Sequence, residues 1–157
     1  MGTRSTTKFI EKFEDTKTGK TEERTICAIY QQYDGYPSGV GMQIAEFLKD
    51  IDVVNGMSGD RTMGKVANGI GCLSAQYIAL NKDEAGNLYM TNPDDSQEYN
   101  YEIVVGWEGE GWNQKPTEPI IRVSVYTYDE ETEEEGALDF EGTALEFIDL
   151  VNSGKVS

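Results

Sequence analysis

The spacing of hydrophobic and polar residues changes several times along this chain, and each change marks an element. Residues 5–13 alternate weakly and predict a first strand, followed by the polar turn Asp15-Thr16-Lys17-Thr18-Gly19-Lys20. Thr25-Ile26-Cys27-Ala28-Ile29-Tyr30 is rich in β-formers and apolar on both faces, as a central strand requires. Together the two predict a hairpin. Val40, Ile44, Phe47, Leu48 and Ile51 then recur at helical spacing and predict a helix over about residues 40–50. A second helix is predicted over Cys72 to Leu80, with Leu73, Tyr77 and Leu80 on one face. Strand character returns at 88–91, at 99–105 and, most clearly, at 120–126, where Ile121, Val123 and Val125 share a face. Between the last two, Trp107 to Pro119 reads as a long loop. Thr143-Ala144-Leu145-Glu146 matches a capping box that opens a helix over about residues 144–152, with Gly154 just past its end.

Strands cluster in this order rather than alternating with helices. The expected fold is therefore α+β, a single domain over residues 1–157. It has a mainly antiparallel sheet of about five to six strands with two to three helices packed on it.

Composition narrows the chemistry. A hydrophobic fraction of 38% beside a charged fraction of 27% suits a folded domain. No apolar run nears the roughly 18 residues that span a bilayer, and no leader pattern is expected. Met1-Gly2-Thr3-Arg4-Ser5-Thr6 fits the loose myristoylation pattern, and an ordinary strand start accounts for the same residues. The chain has no histidine, which removes Ser-His-Asp and Cys-His catalysis and histidine metal ligation together. Cys27 and Cys72 lack a CxxC partner and sit in apolar surroundings, so buried free thiols in a reducing cytoplasm are expected. The formal net charge is −16, from 29 acidic against 13 basic residues. That field repels nucleic acid and anionic membranes, so neither is an expected partner; it can attract a basic host protein, and solubility alone explains it equally. No cofactor is implied.

Tyr33-Asp34-Gly35-Tyr36-Pro37-Ser38-Gly39-Val40-Gly41 joins a strand to a helix through a tight glycine-rich turn. Pro37 pushes Tyr36 out of helical geometry, and Ser38 or Gly39 is then placed to cap the helix. This stretch, the start Met1-Gly2-Thr3-Arg4-Ser5 and the helix Ile44-Ala45-Glu46-Phe47-Leu48 resemble a family of small phage and bacterial proteins. Its members carry an aromatic-Asp-Gly-Tyr-Pro turn after an early hairpin. Asn68-Gly69-Ile70-Gly71-Cys72-Leu73 fits the same setting. The resemblance covers roughly the first half of the chain. It implies a phage accessory protein in the host cytoplasm, and counter-defence is one common role for such a protein.

Three constellations carry candidate chemistry. The first is a ligand pocket made by the two glycine-rich turns, Asp34-Gly35-Tyr36-Pro37-Ser38-Gly39 and Asn68-Gly69-Ile70-Gly71, with Arg4. Both turns precede helices, so their N–H groups can face an anion. Tyr30, Tyr33 and Tyr36 can stack on a base, and Arg4, Arg61 or Lys65 can pair with phosphate. The expected function is sequestration of a small nucleotide-like ligand. An Asx-turn at Asp34 and packing tyrosines explain the same residues without any ligand. The second constellation is the acidic run Asp129 to Glu135 with Asp139, Glu141, Glu146 and Asp149, a nucleic-acid mimic or simply a solvated loop. The third is hydrolysis, by Asp34, Glu46, Asp50 and Asp52 around a metal or by Cys72 at a helix start. A pocket built across a homo-oligomer interface would carry the same residues.

Overall fold

In the computed structural model the described residues are 2–56, 65–109, 114–129 and 134–154, with 125–129 and 134–139 described by backbone alone. The elements in order are β1 (Ser5–Glu14), β2 (Thr21–Gln31), α1 (Met42–Leu48), β3 (Asp52–Val54), β4 (Val66–Asn68), α2 (Gly69–Asn81) and β5 (Leu88–Met90). They continue with β6 (Tyr99–Val105), β7 (Trp107–Glu108), β8 (Lys115–Pro116), β9 (Ile120–Asp129), β10 (Glu134–Thr143) and α3 (Ala144–Asn152). Six strands form one sheet in the order β10-β9-β6-β1-β2-β5. All its pairings are antiparallel except β1 with β6. The fold is α+β, as the clustering of strands predicts.

One face of the sheet carries the helices. Phe9, Ile29, Tyr101, Ile103, Ile121 and Val123 supply the sheet side of the core, all buried. Ile44, Phe47 and Leu48 from α1, Leu73 and Tyr77 from α2, and Phe147 from α3 close over them. The stripe Val40, Ile44, Phe47, Leu48 and Ile51 is buried throughout, so helical spacing there was a reliable guide. On α2 the stripe holds for Leu73 and Tyr77 and fails at Leu80, which is 67% exposed. The capping box forms as expected: Glu146 N donates to Thr143 Oγ1 at 3.3 Å and Thr143 N donates to Glu146 Oε1 at 3.1 Å. Gly154, at φ +77°, closes the end of α3.

On the other face Ile10 and its neighbour Val104 are also buried. The register of β1 on β2 shifts between Phe9 and Ile10, leaving Ile26 as the extra residue of a bulge. Arg122 on β9 donates from Nη2 to Glu23 Oε1 on β2 at 2.9 Å, although β6 and β1 lie between the two strands in the sheet.

Four expectations are corrected. The sequence pattern predicts no strand between the acidic run and Thr143, yet Glu134–Thr143 is the edge strand β10, paired along its length with β9. Of the acidic run, Asp129 ends β9 and pairs with Glu134 at the start of β10, while residues 130–133 lie outside the described residues. The Trp107–Pro119 loop contains the short ribbon β7–β8, and the break after α1 contains β3, which runs parallel to β4. Neither Ser38 nor Gly39 caps a helix. Pro37–Gly41 forms one π-helical turn that feeds directly into α1, with Tyr36 before it and no side-chain cap. Finally, Cys72 is exposed and Cys27 half-buried; both are free thiols. Burial pushes the Cys27 thiol up from its ordinary value.

Candidate functional site

The Asp34 turn is built by backbone bonds that leave little open. Asp34 adopts φ +56°, a left-handed conformation that aspartate tolerates better than most residues. Val40 N donates to Asp34 O at 2.7 Å, Gly39 N to Tyr36 O at 2.9 Å, and Gly35 N to Thr3 O at 2.9 Å. Gly35 O accepts from the buried Tyr101 hydroxyl at 2.6 Å. Burial pushes the Tyr101 phenol well above its ordinary value, so at neutral pH it stays a donor. The Tyr36 hydroxyl donates to Asp34 Oδ1 at 3.0 Å, and the carboxylate pushes that phenol up as well.

Beside this turn lies an open cavity of about 410 Å³. Tyr33, Asp34, Gly39 and Val40 form one wall. Gln31 at the end of β2 and Gln43 on α1 form a second, and Asp83, Glu84 and Asn87, from the connection after α2, form the third. Gln31 is 5% exposed. Its Nε2 donates to Gln43 Oε1 at 3.0 Å, and the Tyr77 hydroxyl donates to Gln31 Oε1 at 3.0 Å, with Gln43 Oε1 at 3.2 Å. Tyr77 is itself held by Phe47 and Phe9, at ring-centroid distances of 5.3 and 5.8 Å. Such a fully packed hydroxyl fixes both glutamines in place. The third wall is tied down by Asn87: its Nδ2 donates to Asn81 O and to Asp83 Oδ1, each at 2.7 Å, and its carbonyl accepts from Gln32 N at 3.1 Å.

Of the residues expected at a site, the structure gathers Tyr33, Asp34 and Gly39 on this cavity. Gly35 is buried beneath the turn, Tyr36 is half-buried against Asp34, and Ser38 is exposed outside the lining. Arg4 is exposed and is not part of the wall. Tyr30 alternates with Gln31 and so lies on the opposite face of the sheet, where it packs on Tyr89 at 5.9 Å. Asn68, Gly69 and Gly71 sit at the start of α2, while the cavity adjoins its end. A helix of 13 residues, about 20 Å long, separates the two. Arg61 lies outside the described residues.

Gln31, Gln43, Asp83, Glu84 and Asn87 were not singled out from sequence. Two of them had a signal. Gln31 falls on the core side of the alternation Cys27, Ile29, Gln31, and Gln43 falls beside Val40 and Ile44 on the apolar stripe of α1. A polar side chain on a core-facing position demands a partner. Asp83, Glu84 and Asn87 carried no pattern, because a loop joins the site only through the tertiary fold.

The metal constellation does not assemble: Glu46 pairs with Lys49 on α1, and among the described residues no three acidic or thiol side chains are placed to hold a metal ion. No helix is long and apolar enough to cross a membrane. Comparison with family models, with curated proteins and with solved structures gave no match.

Proposed function

We propose that this chain is a binding protein that sequesters a small nucleotide-like ligand in the Asp34 cavity. In the phage setting that the family resemblance implies, this capture serves counter-defence. The observation that carries the reading is the cavity itself. Its volume falls within the roughly 300–1,000 Å³ range of small-molecule sites. Its walls include Gln31 and Gln43, whose side-chain amides the Tyr77 network holds in advance. Fixed amides read the hydrogen-bonding edge of a heterocycle, and Tyr33, 49% exposed at the wall, offers a ring for stacking.

The test is depletion and release. Purified protein is incubated with cyclic and linear nucleotides, nucleosides and ADP-ribose derivatives, and free ligand is measured before and after heat denaturation. Capture predicts that one compound disappears and returns intact on heating, and that Gln43→Leu reduces the depletion. A new product after heating identifies a hydrolase instead. No depletion by any compound rejects the cavity reading and favours an acidic inhibitor of a basic host protein, for which the net charge of −16 is the supporting feature.

A further inference from the structure

We propose that Gln43 is the specificity-determining residue of the Asp34 cavity: its amide nitrogen is fixed as a donor, so the cavity selects a heterocycle that turns an oxo group to it over one that turns an amino group. The proposal rests on the reading of this cavity as a ligand site and names the edge of the ligand that is read there.

A surface glutamine is normally ambiguous, because turning its amide over exchanges a donor for an acceptor. Here a buried proton removes that freedom. Tyr77 is fully buried, and burial pushes its phenol well above its ordinary value, so at neutral pH the hydroxyl keeps its hydrogen. That hydrogen needs an acceptor, and it meets the side-chain oxygens of Gln31 and Gln43, at 3.0 and 3.2 Å. Gln31 therefore turns Oε1 to the phenol and Nε2 to Gln43. Gln43 in turn presents Oε1 to that nitrogen, at 3.0 Å. Its own Nε2 is left on the outer side, at the cavity wall.

Each alternative arrangement is worse. Turning Gln43 alone sets two amide nitrogens against each other, and turning Gln31 alone sets two carbonyl oxygens against each other. Turning both together points the phenol hydrogen at N–H donors and leaves it without an acceptor. A buried donor left unpaired bears its full desolvation cost. The polarity set at Tyr77 thus passes through the buried Gln31 to Gln43, which is exposed.

Neighbouring donors of the wall are committed elsewhere. Both N–H groups of Asn87 donate, to Asn81 O and Asp83 Oδ1, and the N–H groups of Gly39 and Val40 close the turn. Asp34, Asp83 and Glu84 bring carboxylates, which repel an oxo group. An oxo group entering the cavity finds its donor at Gln43. Solvent serves this N–H in the free protein, so the bond adds little affinity. Its fixed direction supplies discrimination, since an amino group in the same place sets donor against donor.

The test is isothermal titration of the full chain with two matched pairs of nucleosides, uridine with cytidine and inosine with adenosine. Within each pair one oxo group is exchanged for an amino group. All four are uncharged at neutral pH, so the protein's net charge of −16 does not bias the comparison. The expected result is that in at least one pair the oxo member binds about tenfold tighter or more. Gln43→Glu still accepts from Gln31 and Tyr77 but turns an oxygen to the cavity, and the preference should reverse. Tyr77 acts through Gln43 as a positioning residue. Tyr77→Phe removes the hydrogen that sets the polarity, both amides can then turn together, and the preference should fall to within about threefold. A ratio is read, so a loss of stability or of affinity alone does not imitate this result. Tighter binding of the amino member, equal binding within both pairs, or a preference unchanged in either variant overturns the proposal. Binding of none of the four overturns the oxo assignment. The depletion experiment then decides separately whether the cavity is a site at all.

Discussion

The turns at Asp34 and at Asn68 look alike in sequence, each a polar residue and glycines ahead of a helix, yet the molecule uses them oppositely. At the first, glycine is required by crowding. A Cβ on Gly39 would lie 2.1 Å from Asp34 O, and one on Gly35 would lie 2.9 Å from both the Arg4 backbone and Ser5 Cβ. At the second, space is open: a Cβ on Gly69 or Gly71 would meet nothing within 4 Å. Gly69 is needed only for its φ of +79°, and Gly71 has no such need. The Asn68 side chain is drawn away from the helix start, accepting from Gly56 N at 2.9 Å. A glycine that permits close approach builds a site wall. A glycine that permits a dihedral merely turns the chain.

That contrast can be broken by substitution, read as the change in unfolding free energy in denaturant. Gly39→Ala should have the largest effect, a loss of about 3 kcal/mol or more, because the contacting atom is backbone and cannot swing aside. An unchanged midpoint would mean that the turn is looser than its hydrogen bonds indicate. Gly69→Ala should cost about 1–2 kcal/mol, from the left-handed dihedral alone. Gly71→Ala should go the other way and stabilise by about 0.5 kcal/mol, since alanine in a helix loses less backbone entropy. If Gly71→Ala destabilised as much as Gly39→Ala, the two turns would not differ in kind.

Much of the fold was legible because it rests on local periodicity. The β1–β2 hairpin, the stripe on α1, the clearest part of β9 and the capping box of α3 all follow from residues near one another. What escaped has a common cause. β10 is rich in acidic residues and glycine, which lower strand propensity, and it exists because β9 offers a paired edge. The cavity was half legible: Tyr33, Asp34 and Gly39 share one peptide segment, whereas Asp83, Glu84 and Asn87 join them only once α2 has packed. The expected union of the two glycine turns failed for the same reason in reverse. Sequence shows that two segments are similar, and a helix of fixed length then holds them apart.

The parallel pairing of β1 with β6 has a consequence for synthesis. Thr6 and Asn100 are hydrogen-bonded across a separation of 94 positions. When β1 and β2 leave the ribosome they can pair at once, but the other edge of β1 must wait for Tyr99–Val105. During that interval Thr7 and Phe9, which end fully buried, border an unpaired strand edge. The central strand of the finished sheet is thus the exposed edge of the nascent one, and a truncated chain ending before residue 99 would present an adhesive surface in place of a core.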